Sequence, residues 1–172
     1  MVVLVIGVPD SGKSALAEDL ALKLSGNGRR IYLATMEILD EAGEERVKKH
    51  RKKREGKGFF TIEAPVKVWE AVADEPELSG STVLVECISN LVGNVMHDDG
   101  STVESALEDI SKICKEAQNT VLVTNSFACE EGFDEETKEY VSSLDEVNGK
   151  LRSLADTVYE FVEGEWHKSE DN

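Results

Sequence analysis

The sequence is poor in positive charge, in proline and in cysteine, and it has no long apolar run. Its 19 Lys and Arg stand against 35 Asp and Glu, a formal net charge of −16. A surface that negative repels nucleic acid and argues against general DNA or RNA binding. No apolar stretch approaches the ~18 residues needed to cross a bilayer, so no membrane span is expected. The opening residues, MVVLVIGVPDSGKS, have no basic lead-in and no small-residue cleavage site, and they do not read as a secretory signal. The three cysteines, Cys87, Cys114 and Cys129, are odd in number and share no CxxC spacing. They suit a reducing cytoplasm better than a disulfide scaffold, and no His/Cys cluster has metal-ligand spacing. With three prolines and no low-complexity linker, residues 1–172 read as one domain.

What is there is strongly patterned. Hydrophobic residues make up 40% of the chain in regular periods, which excludes a disordered or fibrous protein. Short β-branched runs predict strands at Val2–Ile6, Ile31–Thr35, Phe59–Glu63, Thr82–Cys87, Thr120–Asn125 and Thr157–Val162. Between them, helical periodicity predicts helices over Ser14–Leu24, Asp40–Arg54, Ser101–Ala117 and Asp134–Ala155. Strands alternating with helices of this length mean βαβ units and a mainly parallel sheet. Continuous runs such as VVLVI and TVLV fit strands covered on both faces. The expected fold is a three-layer α/β domain.

Directly after the first strand stands Gly7-Val8-Pro9-Asp10-Ser11-Gly12-Lys13-Ser14, a G-x-x-x-x-G-K-S phosphate loop. Gly7 and Gly12 permit a tight loop whose backbone N–H groups turn inward, and the helix that follows adds its positive end. In such a loop Lys13 reaches the β- and γ-phosphates, and the Ser14 hydroxyl ligates Mg²⁺. The fold class is therefore α/β, P-loop NTPase-like, with a mainly parallel central sheet. Asp10 adds negative charge to a loop built for phosphate. Glu86, at the end of the strand Thr82–Cys87, is a second candidate Mg²⁺ ligand, because ligands bind at the carboxyl edge of a parallel sheet. Taken alone it would be read as a strand-end carboxylate facing solvent; the phosphate loop beside it favours the metal role.

Positive charge is concentrated. Arg46, Lys48, Lys49, Arg51, Lys52, Lys53, Arg54 and Lys57 crowd one segment whose only acid is Glu55. From Glu130 onward fourteen acids face Lys138, Lys150, Arg152 and Lys168. A cationic segment on an anionic body suits a compact anion, although an isolated charge run is usually a solvated helix. Arg46, His50 and Arg54 are spaced four apart and share one helical face. Two guanidiniums flanking an imidazole can bind phosphates, and an imidazole nitrogen can attack phosphorus. Spacing alone also allows a surface histidine with no chemistry. His97 and His167 have no cationic setting and are read as structural.

These strings together are similar to a known family. The chain resembles the bifunctional adenosylcobinamide kinase / adenosylcobinamide-phosphate guanylyltransferases of cobalamin assembly, in order and over nearly its whole length. The likeness is carried by GVPDSGKS (7–14), IYLAT (31–35), RVKKHRKKR (46–54), TIEAP (61–65), LVECISNLVGN (84–94), VLVTN (121–125) and VNGKLRSLADTVYEFVEG (147–164). The most specific element is R-[IV]-x-x-H-x-x-x-R followed by T-x-E-x-P and an ECI strand end. The resemblance implies γ-phosphoryl transfer from ATP or GTP to adenosylcobinamide. It also implies transfer of GMP from GTP, through a histidine at the His50 position, to adenosylcobinamide phosphate. It places nucleotide contacts on Gly7, Val8, Pro9, Asp10, Ser11, Gly12, Lys13 and Ser14, and on Ala34, Thr35 and Met36. Further contacts fall on Arg51, Lys52, Lys53, Arg54, Glu63 and Glu86. It further implies a homo-oligomer, a propeller-like trimer whose subunits share the site. The chain departs from the family pattern at Val8-Pro9-Asp10, at Phe60, and at Ser126–Cys129 with the acidic 130–136 segment. Two other readings stay open: a P-loop small-molecule kinase without a covalent step, and a nucleotide-binding module that has lost catalysis.

Overall fold

The computed structural model describes residues 1–170. In chain order its elements are β1 (Val2–Gly7), α1 (Lys13–Ser25), β2 (Arg30–Ala34), α2 (Glu41–Arg54), β3 (Phe59–Glu63), α3 (Val68–Val72) and β4 (Thr82–Glu86). They continue with α4 (Ile88–Met96), α5 (Val103–Glu116), β5 (Asn119–Asn125), α6 (Glu135–Leu154), β6 (Thr157–Val162) and β7 (Glu165–Glu170). The strands form one sheet in the order β3-β2-β4-β5-β1-β6-β7, parallel throughout except for the antiparallel β6–β7 pair.

The period of two sorts the inner strands between two cores. On β1, Val3 and Val5 face α1, where they pack with Ala17, Ala21, Tyr32, Leu84, Val121 and Val123. Val2, Leu4 and Ile6 face the other way, into a larger core closed by α3, α4, α5 and α6. Every β1 residue is buried, which is why its sequence runs apolar without alternation. Burying one such Leu or Ile side chain stabilises the fold by about 1.5–3 kcal/mol.

The six predicted strands and four predicted helices all form, with ends displaced by a residue or so. Four further elements form where the sequence predicts none, one of them a single 3-10 turn at Leu78–Gly80 before β4. Helix α4 follows β4 directly and buries Ile88, Leu91, Val92 and Val95. Helix α3 is five residues long and buries Val68 and Val72. Strand β7 is polar and largely exposed, and it exists because Glu163 and Gly164, both at positive φ, turn the chain back along β6.

Helix α2 differs from the rest. Asp40 caps it, its side chain accepting a 2.7 Å bond from the Gly43 N–H. Along its fourteen residues only Gly43 and Arg54 are buried. With no apolar stripe it joins neither core, and polar contacts hold its C-terminal end. Lys57, just beyond it, donates to the buried Glu18 of α1 at 2.5 Å, and Arg51 pairs with Glu63 of β3.

Candidate active site

The carboxyl ends of β1, β2, β4 and β5 converge on one cleft of about 620 Å³. The phosphate loop contributes Pro9, Asp10, Gly12, Lys13 and Ser14, and β2 with its following loop contributes Tyr32, Ala34 and Met36. Helix α2 closes one side with Arg46, Lys49, His50, Lys53 and Arg54. Glu86, Cys87, Asn90 and Asn125 complete the lining. The basic segment and the phosphate loop, far apart in sequence, thus face one another.

The loop has the backbone its glycines require. Gly12 sits at φ 85° immediately before α1, a conformation a side chain would oppose. Gly7 packs so closely against Phe161 and Ser11 that an added Cβ would lie 2.8 and 2.9 Å from their Cβ and Oγ atoms. Asp10 takes positive φ as well, at 59°. No acid occupies the first turn of α1, so its N–H groups and dipole remain directed at the cleft.

Lys13 is 9% exposed and donates to the Val8 carbonyl at 2.7 Å. Burial pushes its ammonium below the usual lysine range, against the pull of Glu86 and Asp10. A partly desolvated cation resting on a loop carbonyl is preorganised for an incoming anion.

Ser14 Oγ donates to Glu86 Oε1, and Tyr32 donates its phenolic proton to Glu86 Oε2 at 2.8 Å. A hydroxyl and a carboxylate in contact are hard oxygen donors, and they fit Mg²⁺, which takes few protein ligands and completes its shell with phosphate and water. Among the described residues no group of three or more His, Cys, Asp or Glu could cage a metal. Burial raises the Cys87 thiol above its ordinary range while its Sγ contacts Ser89 Oγ at 3.0 Å, so this cysteine stays protonated and makes a poor nucleophile.

The sequence-predicted residues divide. Pro9, Asp10, Gly12, Lys13, Ser14, Ala34, Met36, Arg46, His50, Lys53, Arg54 and Glu86 line the cleft together. Gly7, Val8 and Ser11 shape the loop from behind, with Ser11 Oγ donating to Val8 O at 2.7 Å. Thr35 is fully buried and donates to Cys87 O at 2.7 Å, tying β2 to β4. Arg51, Lys52 and Glu63 lie outside the cleft. Arg51 and Lys52 line a neighbouring open groove with Phe59 and Thr61, which meets the cleft at Arg54, and Arg51 is paired to Glu63. Sequence reasoning missed Tyr32, Lys49, Asn90 and Asn125. Tyr32 and Asn125 each stand in or beside a strand that ends at the cleft, and strand-end polarity is the signal that could have found them.

Solved structures with this fold include the flagellar accessory protein FlaH of Methanocaldococcus jannaschii. It matches at TM-score 0.55 and 15% identity over 97% of this chain and 75% of that one. A second solved structure, an ATPase domain, matches at TM-score 0.50 and 11% identity, over 94% of this chain and 69% of that one. At such identities the likeness shows the fold alone. In sequence the chain is 26% identical, over 95% of its length and 97% of the relative's, to the bifunctional adenosylcobalamin biosynthesis protein CobU of Escherichia coli. Residues 3–168 match the cobinamide kinase / cobinamide phosphate guanyltransferase family, and the chain belongs to that family.

Proposed function

We propose that the chain carries out both reactions of its family on adenosylcobinamide, with His50 as a covalent nucleophile in the second. The observation that carries this reading is that His50 lines the same cleft as Lys13 and Ser14, set among Arg46, Lys49, Lys53 and Arg54. In the first reaction the terminal hydroxyl of adenosylcobinamide gives up its proton to solvent and attacks the γ-phosphorus of ATP or GTP. The bond from that phosphorus to the β,γ-bridging oxygen breaks and ADP or GDP leaves. Lys13 and the loop N–H groups stabilise the charge gathering on the phosphoryl oxygens. In the second, an imidazole nitrogen of His50 attacks the α-phosphorus of GTP and the bond to the β-phosphate oxygen breaks. Pyrophosphate leaves, its charge met by the α2 cations. A phosphate oxygen of adenosylcobinamide phosphate then attacks the same phosphorus, displacing the imidazole and giving adenosylcobinamide-GDP. Ser14 and Glu86 would hold Mg²⁺, which would supply charge neutralisation on the phosphates. A cytoplasmic homo-oligomer, the trimer implied by the resemblance, belongs to the same reading.

Incubation with GTP labelled at the α-phosphate tests it. Wild type should acquire acid-labile label, while His50→Ala and the shape-matched His50→Asn should acquire none and release no pyrophosphate. Both variants should still bind GTP and phosphorylate adenosylcobinamide. Label on either variant would move the nucleophile elsewhere. Absence of label on wild type would leave a single-step kinase.

A further inference from the structure

Glu86 is held on both of its oxygens, and only one of the two partners belongs to the phosphate loop. The other, Tyr32, lies in the IYLAT string of β2 but is not among the residues to which a nucleotide or metal contact is assigned. On adjacent parallel strands Tyr32 is in register with Leu84, and Ala34 with Glu86. Side chains two residues apart share a face, so Tyr32 and Glu86 are diagonal neighbours on the α1 side of the sheet, within reach of a long aromatic side chain. The phenolic O–H spans that diagonal and donates to Glu86 Oε2 at 2.8 Å.

The ring of Tyr32 has a second task. The Arg54 guanidinium carbon lies 3.4 Å from the ring centroid, stacked on its face. Arg54 is 7% exposed, and its Nε and Nη1 are buried without a hydrogen-bond partner. A buried guanidinium with unpaired donors is costly unless an anion completes it. Its orientation comes from the aromatic face, which leaves those N–H groups uncommitted. Phe59 packs edge-on against Tyr32, with centroids 6.1 Å apart, and restrains the ring.

We propose that Tyr32 is a positioning residue that sets the Glu86 carboxylate with its hydroxyl and the Arg54 guanidinium with its ring. It thereby fixes the carboxylate of the metal side and the cation of the phosphate side in one arrangement across the cleft. This rests on the reading that the cleft holds a nucleotide's phosphates. It does not depend on covalent chemistry at His50.

Two substitutions separate the tasks. Tyr32→Phe keeps the aromatic face and removes only the hydrogen bond to a charged acceptor. Tyr32→Leu removes both. Binding of the non-hydrolysable analogue GMP-PNP is measured by calorimetry without metal and across a Mg²⁺ titration. Tyr32→Phe should bind the metal-free analogue within about twofold of wild type, while its Mg²⁺ midpoint rises roughly tenfold, as expected for a lost bond to a charged group. Tyr32→Leu should show the raised midpoint and also a severalfold loss of metal-free binding. In the Glu86→Gln background the Tyr32→Phe shift in midpoint should vanish. An unchanged midpoint in Tyr32→Phe overturns the proposal, as does equal weakening with and without metal, which a purely structural role would give. If Tyr32→Leu fails to fold, Tyr32→Phe alone still decides. Failure of GMP labelling in wild type strikes the covalent mechanism and leaves this result standing.

Discussion

Ser14 and Glu86, 72 positions apart, meet hydroxyl to carboxylate in the cleft, while Tyr32 occupies the other carboxylate oxygen. The contact joins the first residues of α1 to the end of β4 across β5, the strand that lies between β4 and β1. Glu86→Gln keeps the shape and removes the charge. It should lower turnover by tenfold or more and raise the Mg²⁺ requirement, with metal-free GTP binding changed only a few-fold. A Mg²⁺ titration identical to wild type would make Glu86 an ordinary strand-end residue.

Lys13 gives a prediction with a sign in pH. Burial depresses its folded pKa below the ordinary 10.5, so between the two values the unfolded chain binds more protons than the folded one. Stability contributed by this site therefore rises with pH across that window, and below it the charged ammonium is a net cost to the unliganded fold. Lys13→Met should match or exceed wild type in thermal stability at pH 7, with the margin shrinking as pH climbs toward 10.5. Both transfer reactions should fall by at least ~10²-fold. Melting curves over a pH series, run beside activity assays, check both halves.

The arginines of α2 should not behave alike. Arg51 is half exposed and paired with Glu63, and such a pair is worth at most about 1 kcal/mol. Arg51→Ala should leave the KM for GTP within about threefold. Arg46→Ala removes a cation from the cleft lining and should raise that KM tenfold or more, by loss of a charge-assisted phosphate contact. Equal effects would mean that α2 acts through its overall charge and not through the face it presents.

Gly7→Ala tests the back of the phosphate loop. The new methyl would sit 2.8 Å from the Phe161 Cβ, an atom fixed to the β6 backbone, and 2.9 Å from Ser11 Oγ. Overpacking of this kind costs about 1–3 kcal/mol. Denaturant unfolding should show that loss, and weaker nucleotide binding should accompany it as the loop shifts away from β6.

Legibility differed by the kind of force involved. Strands β1 and β4 and helices α5 and α6 were readable because burial imposes a period on sequence. Helix α2 was readable by its charge pairs four apart, such as Glu44 with Lys48, although it buries almost nothing; its Asp40 cap is a finding of the structure. Strand β7 was not, because its residues EWHKSE carry no strand pattern, and pairing to β6 after a tight turn creates it. Helix α4 was hidden for another reason. It follows a strand with no intervening loop, and a short apolar run reads equally as either.

The same division runs through the site. The linear sequence determined the phosphate loop, the acid ending β4 and the face shared by Arg46, His50 and Arg54, since each is a local spacing with a local physical consequence. The tertiary structure decided which of these meet. It turned Arg51 and Lys52 away from the phosphate loop and buried Arg54 on the ring of Tyr32. It also put Tyr32 and Ser14 on the two oxygens of Glu86. Those outcomes depend on strand order and parallel register, and they arise only when strands distant in sequence are laid side by side.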